Sequence, residues 1–457
     1  MVNSKGIVAK SIVFVVVGLL VGAAIGYLIY PSVNPAEAVT KTVTEGAVTT
    51  TVTVPGATVT VTAPAAHGLT GEIKFGALLT LSGDLRTFGE NHKAALELAR
   101  DEINAWLKSF RPDLTVTVEF EDTQTKPDIA LAKVQSFVAR GIKFIIGPLS
   151  SGELRGIRSY VDEQGIVVVS QSSTAVELAL KDRIFRFIPN DNAQAPALAR
   201  LMYDLGIRYV IHVWRDDPWG NGLQKGVADN FKKLGGSVDE GIKYSPAEQT
   251  FVTQVAALKD KVEAALAKYP KSQVAVNLIA FEEAAVLMKE ATKYPILREV
   301  RWFGSDGTAG SGDLKKDPDV AKFCYDTKFL NTIFAPTRSE IFNKVTAHIQ
   351  KVYGADREPD SYTYVIYDIL WVLVKAILFV EKYDPAAVAN ILPQVAATYF
   401  GASGWIKLDE NGDRVPESYD ILAINEESPG KYKWERVAYW SKATDQVTFL
   451  PGYEKFK

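Results

Sequence analysis

The stretch GEIKFGALLTLSGDLRTFGENHKAALELARDEI, from Gly71 to Ile103, decides the fold. Residues 73–79 form a short apolar run of strand length, whereas Ala94, Leu98, Ala99 and Ile103 recur at helical spacing on one face. Between them lies a loop rich in small polar residues and glycine. Strand, loop and amphipathic helix in that order make half of a βαβ unit. The same order continues with apolar runs at residues 115–120, 144–147 and 166–170, each separated by helical periodicity. After Arg186 the pattern begins again, with runs at residues 209–214, 237–244, 274–280 and 301–304. Two similar α/β lobes with parallel sheets are therefore predicted. In open parallel sheets ligands settle beyond the carboxyl ends of the strands, so the loops after these runs, meeting in a cleft between the lobes, are the expected site.

The remaining composition narrows the class. At 457 residues the chain is long enough for two or three domains. Its 47% hydrophobic and 23% charged content is that of a soluble globular protein rather than a disordered or polytopic membrane chain. The 51 basic and 54 acidic residues are interspersed, which leaves no basic footprint for nucleic acid. The single cysteine, Cys324, cannot form an internal disulfide and lies too far along the chain to be a lipid anchor.

Residues 11–30 are uncharged and apolar, following a segment that carries Lys5 and Lys10 and no acid. A run of this length can cross a bilayer, and the basic flank keeps residues 1–10 in the cytoplasm. The remainder then lies outside the membrane. A cleaved signal is the competing reading, because Ala36-Glu37-Ala38 resembles a processing site, but signal cores are usually shorter. A retained anchor is the favoured expectation. Residues 31–70 are rich in threonine and valine and are expected to be a stalk; alternating Thr and Val could also build a strand.

The segments after the strands carry the chemistry. They are Leu79-Thr80-Leu81-Ser82-Gly83-Asp84, Gly147-Pro148-Leu149-Ser150-Ser151-Gly152 and Ser170-Gln171-Ser172-Ser173-Thr174-Ala175. Hydroxyls beside free N–H groups at a helix start form an anion nest, and Ser150, Ser151, Gly152 and Thr174 supply one without cationic side chains. Further along stand Trp219-Gly220-Asn221-Gly222, Phe303-Gly304-Ser305-Asp306-Gly307 and Gly404-Trp405-Ile406-Lys407-Leu408-Asp409. This ordered set resembles the type I periplasmic binding proteins of the branched-chain amino-acid and amide ABC importers, from about Gly71 to about Asn425.

The resemblance implies two Rossmann-like lobes joined by a three-segment hinge, with an N-terminal transmembrane helix added in this chain. Lobe 1 would comprise residues 71–189 and 335–409, and lobe 2 residues 190–334 and 410–457. It implies that Ser151 and Thr174 hold a ligand carboxylate, with Ser150 and Ser172 adjoining through backbone groups. Asp306 would receive the ligand ammonium, although relatives usually carry the longer glutamate there. Phe88, Trp219, Phe281 and Tyr362 would wall the pocket. Fewer hydroxyls on those rings favour an apolar or aromatic ligand side chain over a sugar.

The expectation is therefore an extracytoplasmic solute-binding protein that closes on an amino acid and hands it to permease and ATPase subunits. It is held at the membrane by its N-terminus and works without enzymatic activity, cofactor or metal. The four histidines, His67, His92, His212 and His348, show no metal-ligand spacing. An amide, urea or aromatic acid is the closest alternative ligand, and the ectodomain of a receptor complex the alternative role. A hydrolase or lyase in the same cleft would need a nucleophile and base, and no such pair is suggested.

Overall fold

The computed structural model describes residues 38–44, 47–54, 57–64 and 68–457, in two units that divide after His67. The apolar run at residues 11–30 and its processing site lie outside the described residues.

In the first unit, β1 (Ala38–Thr44), β2 (Ala47–Val54) and β3 (Ala57–Pro64) form an antiparallel meander. Thr40 pairs with Thr51, and Thr51 with Thr60. Within the stretch expected as a stalk, these three segments take the strand alternative that the Thr/Val alternation left open. The Thr/Val alternation is strand patterning, and Glu45-Gly46 and Pro55-Gly56 stand between the runs as two-residue connectors ending in glycine.

The second unit starts with β4 (Gly71–Leu79), α1 (Arg86–Lys108), β5 (Leu114–Asp122), α2 (Pro127–Ala139), β6 (Phe144–Ile146), α3 (Ser151–Gln164), β7 (Val167–Ser170) and β8 (Ile184–Arg186). These strands make a five-stranded parallel sheet, ordered β5-β4-β6-β7-β8. Every residue of β6 and β7 is buried, as a parallel sheet covered on both faces requires, and so these strands read as continuous apolar runs.

The chain then passes to a second sheet through α4 (Asp191–Asp204), β9 (Tyr209–Arg215), α5 (Pro218–Lys233), β10 (Ser237–Val238), β11 (Ile242–Tyr244), α6 (Val252–Leu266), β12 (Val274–Ile279), α7 (Ala284–Ala291) and β13 (Arg301–Gly304). It continues with α8 (Asp313–Lys316), α9 (Pro318–Asp326) and β14 (Leu330–Phe334). The expected single strand at residues 237–244 is two short strands, both parallel to β9. Gly241 breaks it at φ +76°, where a Cβ would lie 2.6 Å from the His212 carbonyl oxygen.

From β14 the chain returns to the first sheet with α10 (Glu340–Tyr353), α11 (Ser361–Val380) and α12 (Pro385–Ala397). It goes back once more through the small hairpin β15 (Phe400–Gly401) and β16 (Gly404–Trp405) to β17 (Ser418–Ser428), β18 (Lys431–Ser441) and β19 (Gln446–Phe449). The second sheet has nine strands, parallel from β10 to β14 and antiparallel thereafter. Helix α11 has the length and apolarity of a membrane span, but 72% of that stretch is buried inside the protein. It is a core helix, packed on α1.

Candidate functional site

The loops after β4, β6 and β7 are fixed by their own polar groups. Asp122, at the end of β5, accepts the N–H groups of Leu81 at 2.9 Å and Ser82 at 3.2 Å, and the Ser82 hydroxyl at 2.5 Å. This anchors the loop that leads into α1. On that helix Gly89 lies so close that a Cβ would meet the Thr80 carbonyl oxygen at 1.8 Å. The neighbouring Phe88 is carried into the interior, 1% exposed.

Ser150 is the N-cap of α3 in a reciprocal box: its Oγ accepts the Glu153 N–H at 3.3 Å, and its own N–H donates to Glu153 Oε2 at 3.0 Å. Ser170, Ser172 and Ser173 donate to the carbonyls of Pro148 and Leu149, zipping the third loop to the second. Ser151 Oγ accepts the Ala175 N–H at 3.1 Å, which leaves its hydroxyl hydrogen free to donate. The Ser151 and Gly152 N–H groups, in the first turn of α3, have no intrahelical acceptor.

From the other sheet, Trp219 enters on the first turn of α5, and Phe281 follows β12. The two rings stack at 4.7 Å and 20°. The Arg215 guanidinium lies 4.2 Å from the centre of the Phe281 ring. Asp306 follows β13, and Gly307 beside it must be small, since a Cβ there would lie 2.6 Å from the Trp219 ring.

These groups line a narrow pocket, walled by Leu85, Phe88, Leu149, Ser150, Ser151, Ser172, Trp219, Phe281, Asp306, Gly307 and Tyr362. Of the residues expected at the site, Phe88, Ser150, Ser151, Ser172, Trp219, Phe281, Asp306 and Tyr362 meet there. Thr174 does not reach the lining. It is buried, its carbonyl accepts the Asp191 N–H at 2.9 Å, and its hydroxyl makes no hydrogen bond of ordinary geometry. The hydroxyls of Ser150 and Ser172 are already engaged, with Glu153 Oε2 at 2.6 Å and the Leu149 carbonyl at 2.9 Å.

The acids set the electrostatics. Asp306 Oδ2 accepts the Tyr362 hydroxyl at 2.6 Å, and Oδ1 accepts Gln194 Nε2 at 2.9 Å. Burial raises the Asp306 pKa above the ordinary aspartate range, with these two hydrogen bonds opposing the shift. Asp191, 1% exposed, is held higher still by burial and by the Asp306 charge, and neither of its carboxyl oxygens has a hydrogen bond of ordinary geometry. Among the described residues no basic side chain lines the cavity, and no cluster of His, Cys, Asp or Glu has the makings of a metal site. The lining itself holds the buried acid Asp306 and no basic side chain, which suits it to a positive charge, whereas Asp191 behind it is partly offset by the Arg186 guanidinium and the Thr174 hydroxyl.

Asp191 and Gln194 escaped the sequence reading. Both lie at the start of α4, where an acid reads as ordinary helix N-terminal charge, and only the fold brings them to Asp306.

The model of the receptor family ligand binding region matches residues 91–427. An uncharacterized protein of Methanocaldococcus jannaschii is 32% identical over 82% of this chain and 91% of its own length. The Leu/Ile/Val/Thr-binding protein of Salmonella typhimurium is 25% identical over 75% of this chain and 88% of its own. Among solved structures, a leucine-binding protein of Thermotoga maritima aligns with a TM-score of 0.66 at 20% identity, covering 83% of this chain and 99% of that one. A branched-chain amino-acid transporter substrate-binding protein of Streptococcus pneumoniae, in complex with isoleucine, gives 0.66 at 18%, covering 80% and 99%.

Proposed function

The chain belongs to the family of receptor ligand-binding regions, and from that premise we propose that it is the solute-binding component of an ABC importer, capturing an amino acid with an apolar side chain. One observation carries the reading: a single cavity joins a buried carboxyl pole, Asp306 with Asp191 close by, to hydroxyl and helix N-terminal donors at Ser151 and to walls of Phe88, Trp219, Phe281 and Tyr362. An α-ammonium meets the acids, an α-carboxylate meets the Ser151 hydroxyl and the first turn of α3, and an apolar side chain meets the rings. The names of the leucine-, isoleucine- and valine-binding relatives favour an aliphatic side chain. An amide, a urea or an aromatic acid lacks the positive charge that the buried Asp306 calls for.

The cavity lies between loops of the two sheets, so closure of one half on the other traps the ligand, and a permease with its ATPase reads the closed form. The apolar run at residues 11–30 holds this receptor on the outer face of the cell membrane. Isothermal titration of the purified full-length protein against the twenty amino acids, sugars, amides and aromatic acids tests the ligand class. Saturable binding of leucine, isoleucine or valine is expected. Binding confined to a sugar or to an uncharged amide overturns the reading.

A further inference from the structure

Helix α1 has no cap of its own. Its N-cap residue is Leu85, which makes no side-chain capping bond, and its first turn carries no acid. The N–H groups of that turn need an acceptor from elsewhere. It comes from the half built on the nine-stranded sheet: Glu282 Oε2 accepts the Thr87 N–H at 3.0 Å. Ser311 donates to the other oxygen, Oε1, at 3.1 Å, and the Glu282 N–H donates to the Asp84 carbonyl at 3.0 Å. The carboxylate is 4% exposed, so it is committed to these partners.

The residues on either side tie the contact to the cavity. Phe281 is a wall of the cavity. Glu283 accepts Arg215 Nη1 at 2.6 Å, and both Arg215 Nη atoms approach Asp84 Oδ2 at 3.2 Å. Arg215 also packs on the Phe281 ring. Three consecutive residues after β12 thus join the ligand wall to the entry of α1 in the opposite half.

We propose that Glu282 is the closure latch of this receptor, capping α1 of the opposite half and setting the closed population without touching ligand, with the Arg215–Asp84 pair in support. A carboxylate at a helix N-terminus is favourable, and this one reaches it only when the halves are together. Affinity scales with the fraction of protein in the binding-competent form, so a latch acts equally on every ligand. The inference rests on the reading of this protein as a two-halved clamp.

The test compares wild type with Glu282→Ala, Glu282→Gln and Asp84→Asn as full-length proteins, with circular dichroism to check folding. Small-angle scattering without ligand is the first readout: Glu282→Ala enlarges the radius of gyration, and Glu282→Gln, which keeps an acceptor, falls between it and wild type. Leucine, isoleucine and valine titrations are the second: Glu282→Ala weakens all three by roughly ten-fold, with faster dissociation, ~1.4 kcal/mol. An unchanged radius of gyration, or a loss of affinity for one amino acid only, overturns the latch. Should wild type bind no amino acid while Glu282→Ala still enlarges the ligand-free protein, the latch stands and the ligand assignment falls. If Glu282→Ala does not fold, Asp84→Asn carries the same two readouts, with a smaller expansion expected and an unchanged radius overturning the proposal.

Discussion

The Tyr362 hydroxyl and Asp306 Oδ2 stand 2.6 Å apart, so the first turn of α11, packed with α1 on the five-stranded sheet, is bonded directly to the loop after β13 of the nine-stranded sheet. The acid at the heart of the cavity is therefore held by one donor from each half, since Gln194 of α4 takes its other oxygen.

That arrangement makes Asp306→Asn a severe lesion for ligand and a mild one for folding. The amide keeps the size of the side chain and removes the charge that meets an ammonium, worth ~1.5–3 kcal/mol for a charge-assisted bond. Leucine affinity is expected to fall by roughly 10- to 150-fold in isothermal titration, with a thermal midpoint near that of wild type. Affinity within two-fold of wild type removes Asp306 from the ammonium site. Tyr362→Phe should fall between the two, because it frees one carboxyl oxygen without removing the charge.

Binding should release protons. Burial raises both Asp191 and Asp306 above the aspartate value of 3.8, with the Asp306 charge adding to the Asp191 shift, whereas a bound ammonium favours their ionised forms. Leucine affinity should rise with pH from about 4 until both groups ionise in the free protein, and flatten above. Stability of the free protein has the opposite slope, because over that interval the folded chain holds more protons than the unfolded one, and unfolding becomes easier as pH rises. Asp368, pushed up to about 6 by burial, adds to that slope but does not line the cavity, so only the ligand-linked part reports on the pair. Titrations at pH 5 in buffers of different ionisation enthalpy measure the proton count directly. A count of zero contradicts the assignment.

Trp219→Ala should weaken leucine binding by roughly 10- to 100-fold and abolish most of any ligand-induced change in fluorescence, because it removes one of two stacked rings that close the wall. Gly307→Ala presses on the same wall from a neighbouring lining position, with a Cβ 2.6 Å from the indole and 2.4 Å from the Ala280 carbonyl oxygen. It should displace the indole and cost affinity while leaving every side chain of the wall present. Unchanged affinity in both variants would take the indole out of the site.

Much of this site is legible in the sequence because parallel α/β sheets place function after strand ends. Phe88, Ser151, Trp219, Phe281 and Asp306 all follow an apolar run closely. What stays hidden depends on long separations. Gln194 meets Asp306 from 112 residues away, and Glu282 reaches Thr87 across 195. No local spacing marks such pairs. Thr174 shows the reverse limit: its loop reaches the site, but the residue is buried beside Asp191 and does not line the pocket. The strands at residues 38–44, 47–54 and 57–64 are legible only as one of two readings, because threonine and valine alternate equally well in an extended stalk and in a sheet.

The last relationship concerns the hinge. Arg186, at the end of β8, makes two bonds of 2.5 Å with the Asp413 carboxylate, and both side chains are 1% exposed. The same guanidinium donates through Nη1 to the carbonyls of Ser173 at 3.1 Å and Ala175 at 2.7 Å, which flank Thr174. One buried pair therefore joins two passages of the chain between the sheets and fixes the third ligand loop. Removing one partner of such a pair strands the other in a dry site, at ~3–5 kcal/mol. Asp413→Ala should lower stability by about that much in urea titration. It should also weaken leucine binding, because an unpaired Arg186 no longer holds the Ser173 and Ala175 carbonyls in the same position. The double variant Arg186→Met with Asp413→Leu should recover stability but not affinity, since it restores packing without restoring the donor to Ser173 and Ala175. Recovery of both would show that the pair serves the hinge alone.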